Sequence, residues 1–425
     1  MPDSSPLTSR TRAVVLLIVA LASVPSCGRG VAGPDDGSDI ATLAIAGAVN
    51  SGASLAAHGS NVVVTWAATT DNRTDIYAAV SANSGRTFSA PVRVNNVAGD
   101  ARVTGEQPPR VAMTASAIAV VWQSKVDDVS VVRSATSSDG GRTFAPAITV
   151  NRKDVTAPRG WASIAMDASA RARVLWLDAR TDAPAAAPTA PHVHGSGGGM
   201  EQSVFFATPG APDARIAHGA CFCCKTAIAI APNGAIYAAW RHIYPVNLRD
   251  MAMAVSTDDG RTFGAPVRVS EDHWQIAGCP EDGPSLAVDA RGVVHISWPT
   301  FIPETGRKAI FYSYSTDGGR TFARRLRVDA DARATAAHPT LAVDGDRVVI
   351  VWDETIDTAT RVRSRAFVAD DARKAWWPER TAPYVSASKD VAEYPSVAFS
   401  GRHEVVAWTE IDADRSSVVR LALKN

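Results

Sequence analysis

One short motif occurs four times in the chain and constrains the fold more than any other feature. Its shared form is Ser-x-Asp-x-Gly-x-Thr-Phe, with asparagine replacing the aspartate in the first copy. The copies are Ser81–Phe88, Ser137–Phe144, Ser256–Phe263 and Ser315–Phe322. An aspartate two residues before a glycine can accept N–H bonds within a tight turn, while the glycine supplies a positive φ. The motif therefore predicts structural hairpin turns, built around Asn83, Asp139, Asp258 and Asp317.

Tryptophan residues mark a second, independent repeat. Each closes an alternating apolar run such as Val62–Trp66, and successive copies lie 54 to 64 residues apart. The seven residues are Trp66, Trp122, Trp176, Trp240, Trp298, Trp352 and Trp408. A period of about 50 to 60 residues holding several short strands is typical of a propeller blade. The repeats predict an all-β fold, a β-propeller of four-stranded blades. Seven blades are expected, or six if one repeat is degenerate.

One repeat can be followed strand by strand, and the two ends of the chain complement each other. The fifth repeat predicts strands at Ser285–Val288, Val293–Trp298, Ala309–Tyr314 and Leu326–Val328. The last repeat stops after three strands, whereas Ala41–Ala46 precedes the first repeat as an extra apolar segment. We expect this N-terminal segment to supply the missing fourth strand, because ring closure protects exposed strand edges. Residues 41–425 are therefore predicted to form one propeller domain.

The repeated turn motif resembles the Asp-box, or BNR repeat, of the sialidase superfamily, whose copies lie on successive propeller blades. Through its repeats the resemblance covers nearly all of residues 41–425. It implies a sialidase-like protein that binds glycans and that, if it is an enzyme, hydrolyses them as an exo-sialidase or another glycoside hydrolase. Known sialidases have six blades. The Arg-Ile-Pro element that they carry near the first blade is absent here, and Arg110 is its nearest substitute.

The resemblance also suggests catalytic residues. Active sialidases hold the substrate carboxylate with three arginines, attack with a tyrosine assisted by a glutamate, and use an aspartate as acid and base. Residues of these types in the predicted loops between second and third strands, on the ligand-binding face, are Asp178, Arg180, Arg241 and Tyr244. Glu393 and Tyr394 are further candidates on that face. Adjacent strand residues point to opposite faces. We therefore expect the last two side chains not to act together.

Cysteines and histidines cluster before the first strands of the fourth and fifth repeats. The residues are Cys221, Cys223, Cys224, Cys279, His218 and His242. Exported proteins usually oxidise paired cysteines, so two disulfides would account for all four thiols. Thiolate and imidazole ligands also suit zinc or copper, and a redox-active dithiol is a third alternative. The second functional hypothesis is therefore a non-catalytic or metal-dependent propeller whose Cys/His cluster binds copper or zinc.

The N-terminal residues are typical of an export signal. Arg10 and Arg12 precede the apolar run Ala13–Ala22, which is too short to span a bilayer. The residues that follow resemble a bacterial lipoprotein cleavage site ending at Cys27. We predict a signal at residues 1–27, lipidation of Cys27, a flexible linker at 28–40, and export to the cell surface or periplasm with a membrane anchor.

The charge balance bears on the partners of the chain. Lys plus Arg and Asp plus Glu both count 43, which gives a formal net charge of zero. This balance argues against a dedicated nucleic-acid surface. The expected partners are a glycan or small-molecule ligand, and a membrane through the lipid anchor.

Overall fold

The structure is a computed structural model that describes residues 40–126, 129–152, 157–180, 201–276, 280, 282–370, 375–386 and 391–424. These residues form 28 β-strands and one short 3-10 turn, Pro245–Asn247. None of the described segments is a helix with the length and apolar character that crossing a bilayer requires. The predicted signal with Cys27, nearly all of the linker, and Cys279 lie outside the described residues.

The strands are numbered in chain order and group into antiparallel units of four. The N-terminal strand β1 (Ile40–Leu43) is described with the last unit. Unit 1 contains β2 (Val49–His58), β3 (Asn61–Thr70), β4 (Arg73–Ser81) and β5 (Val92–Arg93). Unit 2 contains β6 (Arg110–Met113), β7 (Ile118–Val126), β8 (Val129–Ser137) and β9 (Ile148–Thr149).

Units 3 and 4 are joined into one eight-stranded sheet. Unit 3 contains β10 (Arg159–Met166), β11 (Ala172–Asp178), β12 (Glu201–Ala207) and β13 (Ala214–Cys221). Unit 4 contains β14 (Ala227–Ile230), β15 (Ile236–Tyr244), β16 (Leu248–Ser256) and β17 (Val267–Arg268). A single residue pair, Ala220 opposite His242, connects β13 to β15.

Three further units complete the chain. Unit 5 contains β18 (Ser285–Val288), β19 (Val294–Ile302), β20 (Arg307–Ser315) and β21 (Leu326–Arg327), which matches the four strands predicted there. Unit 6 contains β22 (Thr335–Asp344), β23 (Arg347–Ile356), β24 (Ala359–Asp370) and β25 (Ala375–Pro378). Unit 7 contains β26 (Val391–Ser400), β27 (His403–Ile411) and β28 (Ser417–Lys424). Strand β1 pairs antiparallel with β28, placing Leu43 opposite Val419.

The repeated tryptophans lie between the units. Each is at most 1% exposed, and each belongs to a separate apolar cluster formed with the preceding unit. Trp122 packs between units 1 and 2, for example, and Trp66 packs against Val405 and Leu421 of unit 7. Burying a large aromatic side chain contributes roughly 1.5–3 kcal/mol of hydrophobic free energy. Packing of four-stranded sheets through such layers is consistent with a β-propeller.

The repeated Ser-x-Asp-x-Gly-x-Thr-Phe motif forms a tight turn between the third and fourth strands of its unit. In the second copy, Asp139 Oδ1 accepts the Thr143 N–H at 3.0 Å and Asp139 Oδ2 accepts the Thr143 hydroxyl at 2.6 Å. Gly141 has φ +85° and donates its N–H to Ser137 Oγ at 2.9 Å. Phe144 then packs against the apolar cluster between units 1 and 2. The motif therefore builds the turn and fills the layer between units, as its residues predict.

Candidate functional site

A cavity of about 160 Å³ is lined by residues from all seven units. One lining residue in, or next to, the first strand of each unit is polar: Ser54, Arg110, Ser163, Thr226, Ser285, Thr340 and Ser396. Two of the hydroxyls bond the next unit, because Ser396 Oγ accepts the Leu55 N–H and Ser285 Oγ accepts the Leu341 N–H, both at 3.0 Å. A concave site with a few convergent polar groups is the usual form of a ligand pocket.

β-Bulges place unusual residues at one end of this cavity. The strand registers break between Ala337 and Thr340 in β22, and between Glu393 and Ser396 in β26. At the bulges, His338 and Tyr394 both have φ of 53°, which is uncommon for residues other than glycine. Both side chains line a small pocket next to the cavity. We call this end of the cavity the channel mouth.

His338 is the centre of a charged network at the channel mouth. Its Nδ1 lies 2.7 Å from Asp353 Oδ2, and its Nε2 lies 2.8 Å from Glu106 Oε1. Its backbone N–H donates to Asp282 Oδ2 at 2.7 Å. Burial alone would lower the pKa of His338, but Asp353 and Glu106 outweigh that effect and raise the pKa to about 10. His338 is therefore a cation that lies between the carboxyl groups of Asp353 and Glu106.

Two further basic residues, Lys225 and Arg110, line the channel mouth together with His338. Lys225 Nζ is 3.4 Å from Asp282 Oδ1 and donates to the carbonyl oxygen of Pro339 at 3.2 Å. Burial disfavours ionisation of Asp282, yet Lys225 and His338 lower its pKa to about 2. Burial also lowers the pKa of Lys225, and that of Arg110 to about 10. The positive and negative side chains compensate one another, so the described part of the channel mouth contains both kinds of charge in close contact.

Glu393 and Tyr394 lie beside the network, and both have raised pKa values. Burial, followed by the negative charge of Asp353, raises the pKa of Glu393. Burial and the charge of Glu106 raise the pKa of Tyr394 as well. The Tyr394 backbone N–H donates to Asp353 Oδ2 at 2.8 Å, and its ring centroid lies 4.3 Å from that of His338. The bulge between Glu393 and Ser396 interrupts the strand alternation on which the expectation for these neighbours was based, and whether the two side chains act together stays a prediction.

Asp178 and Arg180 lie in a buried network in unit 3. Asp178 is fully buried, and its Oδ2 accepts Arg159 Nε at 2.7 Å and Trp176 Nε1 at 3.2 Å. Arg180 pairs with Asp213 at 2.6 Å, and its guanidinium lies 3.7 Å from the Phe205 ring centroid. The residue two positions after the tryptophan accepts the indole N–H in three other units as well, as His242, Glu354 and Glu410 do. This recurrence gives Asp178 a structural contact, and the catalytic assignment of the pair stays a prediction.

Arg241 and Tyr244 lie in strand β15, whereas we expected a loop there. The strand extends to Tyr244, which pairs with Leu248. Arg241 is fully buried and donates to the backbone carbonyls of Asp282, Arg249 and Pro299 at 3.3, 3.1 and 2.8 Å. Burial raises the pKa of Tyr244 to about 12. Neither residue lines the channel mouth, and their catalytic roles also stay predictions.

Three cysteines come together beside the mouth. The sulfur atoms of Cys221, Cys223 and Cys224 lie within 4.8 Å of one another and are buried. Cys223 is disulfide-bonded, while Cys221 and Cys224 are free with their sulfurs 3.4 Å apart. A disulfide needs about 2.05 Å, so Cys221 and Cys224 do not form a disulfide with each other. The nitrogens of His218 and His242 do not join this group.

The Cys221 sulfur has the environment of a thiolate. The Cys224 thiol donates to it at 3.4 Å, and Arg249 Nη1 donates at 2.9 Å. The hydrogen bond from Cys224, helped by the arginine charge, outweighs burial and lowers the pKa of Cys221 to about 6. Burial raises the pKa of Cys224. The pKa values of the two free cysteines are therefore shifted in opposite directions.

No protein-family model and no curated protein matches this sequence. Solved structures do resemble it. The polysaccharide lyase Uly1 superposes with a TM-score of 0.50 over 96% of this chain and 94% of its own, at 12% identity. The Hadza microbial sialidase Hz136 gives 0.48 over 71% and 63%, at 15% identity. The phage phi92 endosialidase gives 0.49 over 91% and 68%, at 10% identity. At these identities the match to Uly1 shows a likeness of fold alone, and the chemistry has to be argued from the site.

Proposed function

We propose that this protein is a glycan-acting β-propeller that cleaves glycosidic bonds at the channel mouth. The proposal rests on the cluster around His338, where the carboxyl groups of Glu106 and Asp353 contact the two ring nitrogens and burial raises the pKa of Glu393 beside them. Glycoside hydrolysis needs one protonated and one ionised carboxyl group beside the scissile bond. Environments that push the pKa values of neighbouring carboxyl groups apart assign these two roles.

Each residue of the cluster has a distinct part in the proposed reaction. Glu393 donates its proton to the leaving glycosidic oxygen as general acid. Glu106, whose side chain is 22% exposed against 5% for Asp353, is the carboxylate that a substrate or water can reach and acts as base. Asp353 is a positioning residue, because it binds both the His338 ring and the Tyr394 backbone. Proton transfer by positioned groups of this kind contributes about 10²–10⁴-fold to a rate.

The substrate proposed is a glycan without an obligatory carboxylate. A sialidase holds that carboxylate with three arginines, whereas Arg110 is the arginine that lines the mouth within the described chain. The raised pKa of Tyr394 also opposes its use as a phenolate nucleophile. The mixture of carboxylates with His338 fits neutral or amino sugars better than sialic acid.

The experiment compares wild type with Glu393→Gln and Glu106→Gln on a panel of fluorogenic glycosides that includes a sialoside. We expect sugar release by wild type and a loss of about 10²–10⁴-fold in each variant. Glu304→Gln is the matched control, because Glu304 is exposed in the β19–β20 connection and outside the cluster. Wild-type activity in Glu393→Gln would refute the acid assignment. The absence of both sugar release and binding on a glycan array would refute the function.

We also infer a closed, seven-bladed ring and an exported, lipid-anchored protein. The ring inference rests on seven apolar clusters that join consecutive units, with unit 7 joined back to unit 1, and on the β1–β28 pairing. The anchoring inference rests on the sequence pattern of residues 1–27 alone. Metabolic labelling with a fatty acid tests it, because a Cys27→Ser variant should lose both the label and membrane association. Equal labelling of that variant would contradict lipidation.

A further inference from the structure

The sulfur pair beside the mouth sits among buried positive charges. Arg249 is 2% exposed, and its Nη1 donates to Cys221 Sγ at 2.9 Å while its Nε donates to Asn247 Oδ1 at 2.9 Å. Arg241 is 0% exposed and bonds only backbone carbonyls. Neither guanidinium forms an ion pair with a carboxylate of the described chain. A nearby anion stabilises a buried cation, and Cys221 Sγ, which Arg249 contacts, can supply a negative charge as a thiolate.

The surroundings of the pair disfavour a reactive thiol. Cys221 and Cys224 are each 1% exposed, and Trp161, Phe222 and Ile243 pack against the sulfur cluster. Reactive cysteines are usually partly exposed. A small ion can reach a buried pair of sulfurs, whereas a bulky disulfide substrate for thiol exchange cannot.

The geometry points to a two-coordinate site for one soft monovalent cation, of the Cu(I) class, between the sulfurs of Cys221 and Cys224. Soft thiolate ligands select Cu(I), whereas structural zinc takes four ligands. The sulfur of Cys223 is already bonded in a disulfide, and the imidazoles of His218 and His242 stand outside the sulfur group. The described chain therefore offers two thiol ligands at this point.

The charges of the bound state balance. One Cu(I) bound between the two sulfurs, with the thiol protons released to solvent, forms a bis-thiolate complex of charge −1. The Arg249 guanidinium, already in contact with Cys221 Sγ, neutralises that charge. Arg249 is thus a positioning residue for the site. Mutation of a group that contacts a metal ligand, and not the metal itself, typically changes metal affinity by about 10–100-fold.

The test titrates anaerobic protein, with its disulfide left intact, with Cu(I) against a colorimetric Cu(I) chelator. We expect one equivalent in wild type, none in Cys221→Ser or Cys224→Ser, and a 10–100-fold weaker site in Arg249→Gln. His218→Ala is the matched control and keeps full binding, because its ring lies outside the sulfur group. Cu(I) retained by Cys224→Ser, lost by His218→Ala, or absent from wild type would overturn the proposal.

A second measurement uses only the wild-type protein, so its result does not depend on whether a variant folds. X-ray absorption of the Cu(I)-loaded wild type should give two sulfur scatterers and no nitrogen in the first shell. Three sulfurs or a nitrogen would overturn the two-coordinate assignment. A parallel titration with Zn²⁺ alone should leave the zinc on a competing chelator, and tight zinc binding would equally contradict the proposal. Glycoside cleavage by the same samples is scored separately, so either proposal can fail alone.

Discussion

Alanine substitutions at the two adjacent glycines of the second turn motif would measure how closely the turn packs against the preceding unit. Gly140 and Gly141 both have positive φ, 75° and 85°. A Cβ on Gly140 would meet nothing within 4 Å, whereas a Cβ on Gly141 would lie 2.6 Å from Val80 Cγ2 of the preceding unit. Alanine at either position pays about 1–2 kcal/mol for the left-handed conformation. Only Gly141→Ala also meets the neighbouring unit, at a further cost of about 1–3 kcal/mol for overpacking.

The assay is urea unfolding followed by tryptophan fluorescence, with a common slope for all variants. We expect Gly141→Ala to be less stable than Gly140→Ala by about 1–3 kcal/mol. Adding Val80→Ala removes the methyl group that clashes, so the double variant Val80→Ala/Gly141→Ala should recover most of this difference as a coupling free energy.

Equal destabilisation by Gly140→Ala and Gly141→Ala would refute the reasoning, because the backbone conformation would then account for the whole effect. A cycle that shows no coupling between Val80 and Gly141 would refute it independently. In either case the turn would not be packed against the preceding unit as closely as the structure has it.

Three further outcomes follow from described contacts. Glu354→Ala should lower the free energy of unfolding by about 3 kcal/mol, measured by urea unfolding, because the buried Trp352 indole loses its acceptor; a loss under about 1 kcal/mol would contradict that contact. Asp139→Asn should keep a melting temperature near wild type, since Asn83 makes the same turn, whereas Asp139→Ala should melt lower; identical melting of both variants would count against the turn hydrogen bonds. Protonation of His338 stabilises the fold fully below its unfolded pKa of about 6.5, and this contribution is lost as pH rises through its folded pKa of about 10. Urea midpoints between pH 6 and pH 10 should therefore fall more for wild type than for His338→Asn, and parallel curves would oppose the ion pairs.

The repeats made the architecture predictable, because each one specifies a local structure that recurs. The strands of unit 5 and the burial of all seven tryptophans follow from alternation and period alone. The channel-mouth cluster could not be derived in this way. Glu106, Asp282, His338 and Asp353 belong to different parts of the chain, and two bulges bring His338 and Tyr394 to the same pocket.

A weak sequence signal for the mouth was nevertheless present. His338 and Tyr394 are each followed by proline and then a hydroxyl residue, as in Pro339-Thr340 and Pro395-Ser396. Ala162 and Ser163 follow Trp161 in the same way at another bulge, with alanine in the place of proline. Comparing these aligned positions across repeats would have singled out the histidine. The state of the cysteines had no such signal, because it depends on the distance between sulfurs and on Arg249.

The tryptophan layers impose an order on assembly. Every unit contributes its tryptophan to the cluster shared with the preceding unit. The cluster around Trp66 is therefore complete only when residues of unit 7, such as Val405 and Leu421, have joined it. Unit 1 is thus synthesised before unit 7, whose residues complete the apolar cluster around Trp66. Contacts separated by nearly the whole chain form slowly, and until the C-terminal strands arrive the first sheet presents an uncovered apolar face. Nascent and truncated chains should depend on chaperones for that interval.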